Sequence, residues 1–106
     1  MEPIETRQYY GPKERKLIII NQLSWIKVLR DNPGEYPLKD VIGKIREIKR
    51  SFLCSDRRDQ LVFSDCCKEA ITLLGIADTP MNRKLVADGL RYNLMVTLEH
   101  LENRNR

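Results

Sequence analysis

The stretch from Pro80 to Leu101, PMNRKLVADGLRYNLMVTLEHL, decides how this chain folds. Its apolar residues recur at helical spacing, and they do so twice. At about 100° per residue, Met81, Leu85, Gly89, Tyr92 and Val96 fall on one side of a helical wheel. Ala87, Leu90, Leu94, Leu98 and Leu101 fall roughly opposite. Asn82, Asn93 and His100 separate the two faces along one edge; Lys84, Arg91 and Glu102 do so along the other. A helix on the surface of a domain needs only one apolar stripe. A helix with two must be covered on both sides, by its own chain or by another molecule. The expectation is a homodimer, with Leu90, Leu94, Leu98 and Leu101 as the dimer or partner interface. The competing arrangement threads this helix through the middle of its own bundle.

Upstream, Asp78-Thr79-Pro80 reads as a cap followed by a first-turn proline, which starts this last helix. Gly75 is a natural stop for the helix before it. That third helix is expected to be capped by Ser55 or Asp56 and to bury a broad face of Val62, Phe63, Cys66, Cys67, Ala70, Ile71, Leu73 and Leu74. A second helix begins at Pro37 and runs to about Leu53, with Leu38, Val41, Ile42, Ile45, Ile48, Phe52 and Leu53 in one arc. Lys49 falls inside that arc, so it snorkels to solvent or meets a carboxylate. The breaker-rich run Asp31 to Pro37 separates it from a first helix, Pro12 to about Arg30. Apolar residues spread around most of that first helix, which predicts that it is largely buried. Its β-branched run Ile18 to Ile20 also suits a strand, but no second strand is evident to pair with it.

The fold class is therefore all-α: a small four-helix bundle of up-down topology, since short connections favour antiparallel neighbours. Residues 1–11 form an N-terminal arm without periodicity, and 12–106 form a single helical domain. Tyr9 and Tyr10 either anchor the arm or stand exposed. With 42% hydrophobic and 32% charged residues, the chain is globular rather than disordered. Its longest apolar run, Leu17 to Ile20, is too short to span a membrane, and the charged N-terminus is no signal peptide. Three cysteines are an odd number, which points to reduced thiols in a cytoplasmic or nuclear compartment.

Charge is segregated along the chain. From Leu38 to Arg58, seven basic residues face three acidic ones; from Asp59 to Thr79, four acidic residues face Lys68 alone. Lys39, Arg46, Arg50, Arg57 and Arg58 make a candidate stripe for RNA or DNA phosphates, the binding mode small viral accessory proteins use on double-stranded RNA. No aromatic residue interleaves with it for stacking on single strands.

Chemistry finds less support. Cys54, Cys66, Cys67 and His100 are metal-ligand types, yet no C-x2-C spacing exists, and adjacent Cys66 and Cys67 diverge on a helix. Both suit the apolar arc of helix three as small hydrophobes. His100 stands alone near a helix end, where the dipole favours it. Glycines are scattered, with no phosphate loop. Neither metal nor cofactor is expected, and the chain reads as a non-enzymatic regulator, adaptor or inhibitor that binds a protein partner and self-associates.

Overall fold

The computed structural model describes residues 11–51 and 57–104. Its elements are α1 (Pro12–Asp31), a short 3-10 turn (Pro33–Glu35), α2 (Leu38–Arg50), α3 (Arg57–Ile76) and α4 (Pro80–Arg104). Among the described residues there is no strand, and the Ile18 to Ile20 run is helical. The four helices pack as a small bundle.

Local sequence sets most boundaries. Thr79 caps α4: its hydroxyl accepts a hydrogen bond from the Asn82 backbone N–H at 3.1 Å. Pro80 takes the first helical position, where its missing N–H costs nothing. Helix α2 starts one residue after Pro37 and stops at Arg50, three residues short of the expected end. Ser51 closes it, its backbone N–H and its hydroxyl both donating to the Ile48 carbonyl. Phe52 and Leu53, the expected caps Ser55 and Asp56, and the arm with Tyr9 and Tyr10 lie outside the described residues. Gly75 is not the stop it resembled: α3 continues to Ile76, and the Ala77 N–H bonds the Leu73 carbonyl at 3.0 Å.

Helix α4 packs on both α1 and α3, while α2 closes on α3. The α3–α4 pair is antiparallel, since Asp59 lies beside His100 and Cys66 beside Asn93. The core is one cluster: Ile19, Ile26 and Leu29 of α1, Val41 and Ile45 of α2, Cys67 and Leu74 of α3, and Leu90 and Leu94 of α4 are at most 1% exposed. Helix α1 is less enclosed than its composition suggested. Leu17 and Ile20 point outward, 62% and 53% exposed, on a stripe that also carries Lys13, Ser24 and Lys27. Val62 likewise leaves the α3 face assigned to it and is 55% exposed. Lys49 reaches solvent.

Among the described residues one charged side chain is buried at this core. Arg83 is only 7% exposed, and all three of its guanidinium nitrogens donate hydrogen bonds. Nε and Nη2 donate to the two Asp78 carboxylate oxygens at 2.6 and 2.8 Å. Nη1 donates to the Pro33 and Tyr36 carbonyls, both at 2.6 Å. The turn after α1 is thereby tied to the first turns of α4. The fork geometry of arginine suits this four-point contact.

Candidate functional site

The leucine row expected to meet a partner lies inside the molecule. Leu90 and Leu94 are fully buried, Leu101 is 3% exposed, and Leu98 is partly buried against the core. This corrects the expected placement of the interface, and the reason is packing. Stepping four and three residues at a time, Arg83, Ala87, Leu90, Leu94, Thr97 and Leu101 form one seam turned toward α1 and α3, and all are buried. Ala87 is small enough for neighbours to approach, and Thr97 returns its hydroxyl to the Asn93 carbonyl at 2.9 Å.

The opposite seam is left outside. Met81, Leu85, Tyr92 and Met95 stand 72%, 57%, 70% and 41% exposed along one line of α4. The same line carries Asp88 and Glu99, also exposed. On the α3 side lies a groove of about 140 Å³ bordered by Asp59, Val62, Tyr92, Val96 and His100. Its end is marked by His100 Nδ1, 3.4 Å from an Asp59 carboxylate oxygen. Glu69 stands exposed on the same α3 flank. On the α1 side lies a second groove, about 260 Å³, bordered by Leu23, Ile26, Lys27, Arg30, Arg91 and Met95. Lys27 and Arg30 share Asp31, at 4.0 and 3.4 Å. The outer ridge of α4 thus runs between a basic flank and an acidic one.

The candidate chemical groups are quiet. Cys66 is half-buried where α3 meets α4, accepting a hydrogen bond from Asn93 Nδ2 at 3.3 Å; that nitrogen also donates to the Gly89 carbonyl at 2.9 Å. Burial, and then the nearby Glu69 charge, push the Cys66 thiol above its ordinary value. It is therefore protonated at neutral pH and a poorer nucleophile. Cys67 is fully buried as a core hydrophobe. Among the described residues no three His, Cys, Asp or Glu side chains come together as a metal site; Cys54 lies outside those residues. No helix among them is long and apolar enough to cross a membrane.

The basic residues of the candidate stripe divide between two helices. Lys39, Arg46 and Arg50 are exposed on the outer line of α2, with Lys49 beside them. Arg57 and Arg58 are exposed in the first turn of α3. Lys44 is diverted: its ammonium sits 5.6 Å from the centroids of both Trp25 and Tyr36, whose rings meet edge to face at 6.5 Å. Sequence reasoning missed Arg83 and this aromatic pair. The signal for Arg83 was a cation within an otherwise apolar seam, five residues after an aspartate. Compared with protein-family models, with curated proteins and with solved structures, the chain matches none.

Proposed function

We propose that this protein acts by binding, as a non-enzymatic regulator, adaptor or inhibitor, and that a protein partner lies along the outer ridge of α4. One observation carries the reading: Met81, Leu85, Tyr92 and Met95 stay exposed on one line of a helix whose other face is already filled. Scattered exposed hydrophobics need no explanation. A row stepping four and three residues is the seam that an amphipathic helix recognises.

Charge favours one kind of occupant. A second copy laid parallel would set Asp88 against Asp88 and Glu99 against Glu99. Laid antiparallel, it would set the flank of Lys27, Arg30 and Arg91 against itself. A partner helix with an apolar stripe, acidic along one edge and basic along the other, meets both flanks favourably. Such complementarity selects partners and speeds encounter more than it adds affinity. Self-association through this ridge is the competing outcome.

A designed helix of about three heptads tests this. It has a leucine stripe, glutamates on one edge and lysines on the other; control peptides carry lysine or glutamate on both edges. The mixed peptide is expected to bind about tenfold tighter than either control, and Tyr92→Asp or Leu85→Asp to abolish binding while helix content is kept. Equal binding of all three peptides, or binding that survives both substitutions, overturns the proposal. A dimer mass in light scattering that Tyr92→Asp converts to monomer would assign the ridge to a second copy instead.

A further inference from the structure

We infer that Met81 and Met95 form an oxidation site on the outer ridge of α4: an oxidant of the hydrogen peroxide class converts both thioethers to sulfoxides, and the partner helix is released. The inference rests on the ridge being the partner surface.

Methionine is segregated in this molecule. Of the three in the chain, Met1 lies outside the described residues and the other two stand on the ridge. Helices α1, α2 and α3 contain none. The core is closed by Ile, Leu, Val, Ala, Phe, Trp and Cys side chains, although methionine is the flexible filler that irregular cores use. Met81 and Met95 bracket Leu85 and Tyr92, 72% and 41% exposed. They occupy the same heptad position, about 21 Å apart along the axis at 1.5 Å per residue, so one helix lying on the ridge covers both. Met95 also borders the α1-side groove with Leu23 and Ile26.

The thiols beside them are shielded. Cys67 is fully buried. Cys66 is half-buried, and burial, then the Glu69 charge, keep its thiol protonated and away from the reactive thiolate form. A thioether needs no deprotonation. Among the described sulfur atoms, an oxidant arriving from solvent therefore reacts first at the ridge.

The sulfur lone pair attacks one peroxide oxygen and the O–O bond breaks. That oxygen stays on sulfur; the other takes its proton and leaves as water. Sulfur gives up two electrons and the peroxide accepts them. A dithiol-dependent sulfoxide reductase reverses the step, releasing the oxygen as water and closing the dithiol to a disulfide. The sulfoxide is a polar acceptor set in an apolar row. Pressed against a leucine stripe, it loses water and gains no donor. The core holds no methionine among its described residues, so its packing is untouched.

The full chain is treated with hydrogen peroxide, mapped by peptide mass spectrometry and titrated with the leucine-striped helix that carries one glutamate edge and one lysine edge. Met81 is expected to gain one oxygen first and Met95 second, both before Cys66 and Cys67. Peptide affinity is expected to fall about tenfold, with helix content and melting temperature unchanged, and to return after reductase treatment. Met81→Leu with Met95→Leu should bind as wild type and ignore peroxide; because it keeps every cysteine, it also reports any loss that arises at Cys54. Met81→Gln with Met95→Gln should bind about tenfold more weakly without oxidant. Undiminished binding by the oxidised protein, equal loss in the double leucine variant, thiols oxidised ahead of both methionines, or unfolding on treatment overturns the proposal and leaves the ridge reading standing. Failure of the untreated protein to bind the peptide overturns both.

Discussion

The two faces of α4 invite comparison because their spacing is the same and their fates are opposite. Arg83, Ala87, Leu90, Leu94, Thr97 and Leu101 are buried, whereas Met81, Leu85, Tyr92 and Met95 are left in solvent. Apolar content does not separate them. What does is the company each row keeps. The outer row includes Asp88 and Glu99, which burial would strand without partners. The inner row includes one charged residue, and the fold gives Arg83 four acceptor contacts. A helix face is chosen as core by whether its polar members can be satisfied, as much as by its leucines.

The largest effect should come from breaking the inner face. Leu94→Ala is expected to cost about 2–5 kcal/mol, read from the denaturant midpoint, and Leu94→Asp to abolish the cooperative transition. Tyr92→Asp on the outer face should shift stability by no more than about 0.5 kcal/mol. Equal losses at both positions would erase the distinction between the faces. Next comes the satisfied cation. Arg83→Met should cost about 2–3 kcal/mol, because hydrogen bonds to a charged group are lost and the Pro33 and Tyr36 carbonyls lose their donor.

The Asp78 partnership carries a pH signature. The hydrogen bond from Arg83 holds the Asp78 carboxyl below its usual value, with the positive charge adding to the effect and desolvation opposing it. A depressed carboxylate contributes stability that is present above the unfolded value near 4 and is lost as pH falls through the folded one. Asp78→Asn should therefore destabilise the protein at pH 7 and lose that penalty at acid pH, where wild type and variant midpoints converge. A gap that persists at low pH would mean that Asp78 acts through something other than its charge. A small effect of opposite sign lies between the two faces. A Cβ on Gly89 would sit 4.0 Å from Cys66 Sγ, an ordinary contact. Gly89→Ala should stabilise by about 0.5–1 kcal/mol in thermal unfolding, and a loss would reveal that α3 and α4 pack more tightly there than that distance implies.

Much of the fold was legible because its signals are local. Thr79 and Pro80 announce the start of α4, and the arc of Val41, Ile45 and Ile48 announces the buried side of α2. The placement of the leucine row was not, because which side of α4 is covered depends on Ile19 and Ile26, some seventy residues away in sequence. The useful sign was present in Asp88 and Glu99, which lie on the same line as Met81. The Arg83 contacts were beyond reach for a similar reason: two of its acceptors are carbonyls 47 and 50 positions distant. The cations of α2 were legible individually; which side of the helix carries them outward required the fold.

Trp25 gives the molecule an optical consequence. It is the chain's single tryptophan, 7% exposed, with its indole N–H donated to Gln22 and its ring beside both Tyr36 and Lys44. Its emission thus reports the junction of α1, the Pro33–Glu35 turn and α2, and needs no attached dye. Neither the outer ridge of α4 nor the strip of Lys39, Arg46 and Arg50 supplies a neighbour to its ring. A partner seated on either surface should leave the fluorescence maximum in place, and a red shift during a titration would signal melting rather than docking.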